Sequence, residues 1–173
     1  ETRDGEMIVN VYFGEDASPD DPALLQRLNG LEILQLNGRF PPEELEAILG
    51  SEAMIATAGF GADRSLFIAS HDLGVISRGD SVFRLRYYAK SGPSAAHSSW
   101  LRTDCGRYMD LDVVPQLQGS SVEITARFRG QPIAGAQVVA ARPGMEDFEG
   151  ATNADGVAEF EVSESGMHSI RVR

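Results

Sequence analysis

The sequence predicts an all-β protein built from two small antiparallel β-sandwich domains, with a minor helical insertion in the first. Apolar and polar residues alternate with a period of two in several short segments, which is the pattern of strands with one buried face. Turn-forming dipeptides and tripeptides separate these segments. The chain of 173 residues contains 18 glycines and 8 prolines, which suits a fold with many turns.

The last third of the chain carries the clearest strand pattern. Four short strands are predicted between residue 119 and residue 173, separated by turns at Gly130, Gly135, Gly156 and Gly166. The residues expected to face a core there are Val122, Ile124, Ala126, Phe128, Ala158, Phe160, Val162, His168, Ile170 and Val172. Because it lies on this apolar face, His168 is interpreted as a core or edge residue and not as a ligand.

The first two thirds contain more strands and two segments with helical features. Strands are predicted over residues 7–13, 31–36, 53–58, 65–70, 81–90 and 111–114. Asn37-Gly38 predicts a hairpin turn, and Arg78-Gly79-Asp80 predicts the turn before the strand at 81–90. Residues 23–28 are expected to form one or two helical turns. Residues 42–50 fit a short helix, with an extended connection as the alternative.

The best domain boundary is the Pro, Gly and Ser step at residues 116–120. It divides the chain into an N-terminal β-sandwich domain at residues 1–115 and a C-terminal β-sandwich domain at residues 116–173.

Two segments of the C-terminal part resemble a known type of module. Gly130 to Val138 reads Gly-Gln-Pro-Ile-Ala-Gly-Ala-Gln-Val, and Thr152 to Phe160 reads Thr-Asn-Ala-Asp-Gly-Val-Ala-Glu-Phe. This pattern is similar to that of prealbumin-like and carboxypeptidase-regulatory-like β-sandwiches. The fold class is thus refined to two immunoglobulin-like or prealbumin-like sandwiches, with the prealbumin-like one at the C-terminus.

Three upstream motifs extend the resemblance. Val9-Asn-Val-Tyr-Phe-Gly-Glu, Tyr87-Tyr-Ala-Lys and Leu111-Asp-Val-Val-Pro occur in the order seen in the DUF4198 family. That family is related to the periplasmic component of nickel and cobalt uptake systems. The resemblance implies a periplasmic, secreted or cell-surface location, a membrane transporter or cell-surface protein as partner, and a divalent transition metal as candidate ligand.

Composition narrows the classes of partner. The formal net charge of −11 argues against nucleic acid and anionic membranes as partners. The sequence contains no apolar run of about 18 residues, so no direct membrane insertion is expected. Cys105 is the single cysteine, which excludes an intramolecular disulfide. The chain begins Glu-Thr-Arg-Asp-Gly without Met or a signal segment, which predicts a mature or trimmed fragment.

Metal binding is the sharpest site hypothesis, because the family resemblance suggests it. The candidate ligands are His71, Asp72, His97 and Asp104, whose imidazole nitrogens and carboxylate oxygens suit nickel, cobalt, copper or zinc. His71-Asp72 is expected at a strand end, where it could be presented to an ion. The sequence lacks the short His and Cys spacings of common metal sites, so the competing interpretation is a structural His71 and a solvent-exposed His97.

Other sites are weighed against simpler interpretations. Glu15, Asp16, Asp20 and Asp21 could bind calcium, or form a solvated acidic loop. Cys105 with His97 could form a nucleophilic pair, or Cys105 could be an inert buried residue. The aromatic residues that could form a platform for a sugar or a protein are Tyr87, Tyr88, Trp100 and Tyr108. For Trp100, a packing role between the domains is the alternative.

No convincing catalytic cluster is present, so the chain is predicted not to be an enzyme. The expected function is that of a non-enzymatic extracytoplasmic binding or accessory module linked to nickel or cobalt uptake. The alternative is a structural or adhesive module that binds carbohydrate or a partner protein.

Overall fold

A computed structural model describes residues 2–3, 6–14, 21–38, 41–59, 61–142, 144–163 and 165–173. The chain divides into two compact units, and each is described separately below. Unit 1 comprises the described residues of Glu1–Phe13 and Asp21–Pro93, and unit 2 comprises those of Gly14–Asp20 and Ser94–Arg173. Strands dominate both units, and the few helical segments are short, which confirms the all-β fold class.

Unit 1 contains eight described strands in two antiparallel sheets of four. They are β1 (Thr2–Arg3), β2 (Glu6–Val11), β3 (Glu32–Leu36), β4 (Glu43–Leu45), β5 (Ala47–Leu49), β6 (Met54–Ala58), β7 (Leu66–Arg78) and β8 (Ser81–Ser91). One sheet has the order β1-β2-β6-β5 and the other the order β4-β3-β7-β8. Two 3₁₀ helices, Pro22–Leu28 and Ala62–Arg64, complete the unit.

The core of unit 1 lies between its two sheets. Ile33, Leu45 and Phe67 come from one sheet, while Ala56 and Ala58 come from the other. The half-buried Met7, Val9 and Val11 of β2 pack against this cluster. Because alternate residues of each strand point inward, the two sheets form a sandwich around these side chains.

Unit 2 is a smaller sandwich of seven described strands. They are β9 (Leu111–Gln118), β10 (Ser121–Phe128), β11 (Gln131–Pro132), β12 (Gln137–Ala141), β13 (Phe148–Ala151), β14 (Val157–Glu161) and β15 (Ser169–Val172). One sheet contains β11-β10-β14 with β9 paired to β10, and the other is β13-β12-β15. A one-turn helix α1 (Ser99–Arg102) and a 3₁₀ helix (Cys105–Arg107) precede β9.

The core of unit 2 confirms most of the alternation predicted for this part of the chain. Val122, Ile124, Ala126, Ala158 and Phe160 are buried, while Val162, His168, Ile170 and Val172 are half-buried. The rings of Phe148 and Phe160 stack between the two sheets with their centroids 5.4 Å apart. Phe128 is the exception, because it lies at the exposed end of β10, where Arg129 covers its ring at 5.1 Å.

The helix predicted at residues 42–50 is wrong, and the extended alternative is the one observed. β4 pairs with β3 through Ile33 and Leu45, and β5 pairs with β6 through Ala47 and Ala56. The segment therefore passes from the edge of one sheet to the edge of the other with Glu46 between them. Strand pairing with both sheets overrides the helical signals of the local sequence. β3 and β4 are antiparallel neighbours, but their last pair is Gln35↔Glu43, so the connection is longer than the two-residue turn predicted at Asn37-Gly38.

Residues 116–120, which the sequence suggests as a domain linker, lie within a hairpin. β9 continues through Pro115 to Gln118, and it pairs with β10 along its whole length from Ser121↔Gln118 to Phe128↔Leu111. Pro115 is tolerated because β9 is an edge strand of its sheet. In the division into two compact units, Pro93 belongs to unit 1 and Ser94 to unit 2.

No helix in the part of the chain that the structure describes is both long and apolar enough to cross a membrane.

Candidate functional site

The β7–β8 hairpin runs well beyond the strand that supports it. β3 pairs with β7 only between Leu66 and Ser70, whereas β7 and β8 stay paired out to Arg78↔Ser81. We call residues 71–91 the basic ribbon. Most of it is two-stranded, and the outer edge of β8 has no paired strand among the described residues.

A β-bulge at Asp72–Gly74 lets the hairpin continue as one element. Asp72 pairs with Arg86 and Gly74 pairs with Leu85, which leaves Leu73 as the extra residue. Gly74 has a φ of +75°, a conformation that favours glycine. The backbone N–H of Gly74 donates to Asp72 Oδ1 at 2.8 Å, so the carboxylate replaces the partner that the bulge removes.

Asp72 is also held by two arginines from the facing strand. Arg84 Nε donates to Asp72 Oδ2 at 2.9 Å, Arg84 Nη2 contacts the same oxygen, and Arg86 Nε donates to it at 3.0 Å. The hydrogen bonds from Arg84 and then from the Gly74 N–H lower the pKa of Asp72 well below its usual range. Hydrogen bonds with Tyr88 and then Asp72 raise the pKa of Arg86. The ionised carboxylate of Asp72 is therefore the counter-ion of the two guanidinium groups of Arg84 and Arg86.

The two faces of the ribbon differ in character. One face carries Phe83, Leu85 and Tyr87, which are alternate residues of β8. Ile76 of β7 lies on the same face, because it pairs with Phe83. The ring of Phe13 meets Tyr87 edge-on at 6.0 Å. The opposite face carries Arg84, Arg86, Tyr88 and Lys90, together with Val75 and Val82.

The ribbon exposes large apolar side chains and carries positive charge. Val75 is 71% exposed, Val82 69% and Tyr87 48%. The positively charged residues of the ribbon are Arg78, Arg84, Arg86 and Lys90, and its acidic residues are Asp72 and Asp80. A formal charge of +2 on this segment contrasts with −11 for the whole chain. Exposed apolar side chains beside charged ones are typical of protein-binding surfaces.

The structure places His71 and Asp72 within β7 and not at a strand end as predicted. His71 is buried, it pairs with Tyr87 across the hairpin, and its Nδ1 atom has no hydrogen-bond partner among the described residues. Successive residues of a strand point to opposite faces. His71 and Asp72 therefore do not present their side chains to the same ion.

His97 and Asp104, the other two predicted ligands, belong to unit 2 and already have local partners. His97 Nδ1 accepts a hydrogen bond from the backbone N–H of Ser99 at 3.2 Å, just before α1. Asp104 is exposed and forms an ion pair with Arg107 at 3.1 Å. Across the described ranges, no group of three or more His, Cys, Asp or Glu side chains is arranged to hold a metal ion.

Most of the remaining sequence candidates are structural. Cys105 is 1% exposed, which fits the inert interpretation of this thiol. Trp100 is buried and its indole N–H donates to the carbonyl of Ser94 at 3.1 Å, so it does not form an open platform. Of the predicted calcium ligands, Glu15, Asp16 and Asp20 lie outside the described residues, and Asp21 accepts from Ala23 N at the start of a 3₁₀ helix.

Sequence reasoning missed Val75, Val82 and Arg84 as surface residues of interest. The turn at Arg78-Gly79-Asp80 is confirmed, and the strand at 81–90 is observed as β8. Alternation in β8, however, has apolar residues on both faces, such as Val82 and Phe83, so it does not reveal which face is buried. A strand with apolar residues on both faces, next to a tight turn, is the sequence feature from which the ribbon could have been predicted.

Comparison with known proteins adds no further constraint: no family model matches this chain, and no curated protein or solved structure is significantly similar to it. The resemblance to DUF4198 rests on the sequence motifs alone.

Proposed function

We propose that this chain is a non-enzymatic binding module that attaches to a partner protein through the basic ribbon. The observation that carries the proposal is the length of the β7–β8 hairpin beyond its supporting strand. β3 ends its pairing at Ser70, and the hairpin extends to its turn at Gly79-Asp80 with Val75 and Val82 exposed.

An isolated two-stranded hairpin is only marginally stable in water, and a third strand or a packing surface stabilises it. The outer edge of β8 carries backbone N–H and C=O groups that a further strand can pair with, which is the basis of recognition by strand addition. A partner that pairs along β8 would also cover the exposed apolar side chains of Val82 and Phe83. Strand addition therefore accounts for both the apolar residues and the edge of β8 along which no described strand pairs.

A protein partner fits better than a carbohydrate or a chemical substrate. The carbohydrate alternative depends on exposed aromatic rings, and Trp100, the largest ring of that set, is buried. Catalysis by Cys105 would need an accessible thiol, and this side chain is also buried. Following the family resemblance, we place the module outside the cytoplasm as an accessory to a membrane transporter or another cell-surface protein.

The experiment that tests the proposal is selection of binding peptides from a random displayed library of short extended peptides. We expect selected peptides to bind the wild-type protein and to lose about tenfold in affinity for Phe83→Ser, because a buried aromatic anchor typically contributes that much. Phe128→Ser is the matched control, because Phe128 is also an exposed aromatic on a hairpin, at 48%. Peptides that bind both variants equally well, or a selection that enriches none, would show that the ribbon is not a binding surface.

Metal binding is a second candidate, favoured by the buried Nδ1 atom of His71, which has no hydrogen-bond partner in the part of the chain that the structure describes. A buried imidazole nitrogen without a hydrogen bond is costly to keep, and a bound transition metal would satisfy it. We expect calorimetric titration with Ni²⁺ or Zn²⁺ to show binding that His71→Ala abolishes. His97→Ala is the control, since His97 Nδ1 is already engaged. Binding that is unchanged in His71→Ala, or weaker than about 1 mM in the wild type, excludes this candidate.

A further inference from the structure

A second surface of unit 1 has the opposite charge to the basic ribbon. We call residues 43–52 the acidic edge. It comprises β4, β5 and the turn that follows, and it contains Glu43, Glu44, Glu46 and Glu52 but no basic residue. All four glutamates are exposed.

The acidic edge also has the other features of a strand-pairing surface. β5 is the last strand of its sheet and β4 is the last strand of the other sheet, so each has one side without a paired strand in the described ranges. Ile48 is 63% exposed and Leu49 is 59% exposed. The segment thus combines unpaired backbone groups, apolar side chains and negative charge.

The β4 strand of the acidic edge and the β8 strand of the basic ribbon lie at opposite ends of one sheet, whereas β5 belongs to the other sheet. In the order β4-β3-β7-β8, two central strands separate the acidic β4 from β8, which contains Arg84, Arg86 and Lys90 and no carboxylate. Because β4 and β8 are at opposite edges of their sheet, and only Glu46 separates β5 from β4 along the chain, the acidic edge and the ribbon do not pair with each other within unit 1. A second copy of the chain, however, can present its acidic edge to the ribbon of the first.

We infer that the partner of the basic ribbon is the acidic edge of a second copy of this chain, so that copies associate head to tail. The inference rests on the proposed function and names its partner. Strand addition would satisfy backbone groups on both edges, bury Val82 and Phe83 against Ile48 and Leu49, and place arginines beside glutamates. The net charge of −11 opposes association in every orientation, whereas the attraction between the ribbon and the acidic edge acts only in this one.

The symmetry of the assembly follows from the surfaces. An interface between two different patches of the same protein is heterologous, and it produces either a ring or an open chain of copies. It does not stop at a two-fold dimer. The number of copies per assembly is therefore expected to rise with protein concentration until a ring closes or the chain ends.

Sedimentation analysis over a range of concentrations tests the inference. We expect the average mass of the wild-type protein to exceed that of a monomer at low salt and to fall towards it at about 1 M salt, where the screening length is about 3 Å. Val82→Glu and Ile48→Lys should each weaken association by roughly tenfold, because each places a like charge at the interface. Val82→Lys and Ile48→Glu remove the same apolar side chains but keep the charge complementarity, so they should weaken it less.

A mixing experiment distinguishes the head-to-tail arrangement from others. Val82→Glu and Ile48→Lys proteins should each associate more weakly than the wild type when separate and should associate more strongly when mixed. In the mixture, the intact acidic edge of Val82→Glu can pair with the intact ribbon of Ile48→Lys. If Ile48→Lys associates like the wild type, the ribbon pairs with something other than the acidic edge. If the wild type stays monomeric at low salt, self-association is excluded. In both cases, ribbon-dependent binding of selected peptides would leave the proposed function standing, whereas its loss would remove that function as well.

Discussion

At the scale of single residues, Asp72 connects the bulge of β7 to the facing strand β8 in the basic ribbon. It accepts the N–H of Gly74 in the bulge and holds Arg84 and Arg86 of the facing strand. The sequence suggested this carboxylate as a metal ligand, because an acidic residue next to a histidine has the right chemistry. The bulge that directs Asp72 towards the arginines depends on the register of β7 against β8, which residue types alone do not determine.

The bulge makes a specific prediction for the Gly74 amide. Asp72→Ala removes the acceptor, so we expect the hydrogen-exchange protection of Gly74 to fall by about tenfold. Asp72→Asn keeps a side-chain oxygen in the same place and should retain part of the protection, which makes it the matched control. Nuclear magnetic resonance measures both. Equal protection in the wild type and in Asp72→Ala would show that the carboxylate does not support the bulge.

The pH dependence of the same contact has a defined sign. The pKa of Asp72 is lower in the folded chain than in the unfolded chain, so its stabilising contribution is present above the unfolded pKa of about 3.9. That contribution is lost only as the pH falls through the lower, folded pKa. We therefore expect the chemical shift of the Gly74 amide to stay nearly constant between about pH 5 and about pH 3, where a carboxyl group with the ordinary pKa of about 3.9 would titrate. A titration of this amide within that range would contradict the lowered pKa.

At the scale of elements, turns and alternation were predictable, and sheet edges were not. The C-terminal strands follow their alternating sequences closely, since Ile124, Ala158 and Phe160 are buried. The helix expected at residues 42–50 fails because β4 and β5 gain partners that are distant in sequence. For the same reason, the sequence predicts the β8 strand, but it does not predict that the pairing of β3 with β7 ends at Glu32↔Ser70 and leaves the ribbon exposed.

The turn between β13 and β14 gives a test at this scale. Asn153 Oδ1 accepts the N–H groups of Asp155 and Val157, and Gly156 has a φ of +75°. An added Cβ at Gly156 would lie 2.7 Å from the carbonyl oxygen of Ala126. Gly156→Ala should therefore combine a steric clash with the unfavourable backbone conformation.

Gly130→Ala is the matched control for that turn. Gly130 has a similar φ of +79°, but nothing lies within 4 Å of its added Cβ. We expect Gly130→Ala to lower the free energy of unfolding by roughly 1 to 2 kcal/mol, from the backbone conformation alone. Gly156→Ala should cost at least about 1 kcal/mol more, from the clash. Urea denaturation measures both, and equal losses would show that the close approach of β10 to this turn is incorrect.

At the scale of the whole molecule, the distribution of charge distinguishes the ribbon from the rest of the chain. A net charge of −11 argues against nucleic acid as a partner, and this stays a prediction from the composition. The composition does not reveal that the positive charges of residues 71–91 lie on one exposed hairpin. This arrangement, more than any single residue, supports a binding function that is selective for a surface bearing acidic and apolar side chains.

Hydrogen–deuterium exchange of the free and peptide-bound protein tests most directly whether the basic ribbon is the binding surface. With a selected peptide at saturating concentration, the amides of residues 74–91 should exchange more slowly, because a bound strand pairs with the outer edge of β8. The amides of β14 in unit 2 should exchange at the same rate in both states. Slower exchange confined to other segments, with residues 74–91 unchanged, would contradict this assignment.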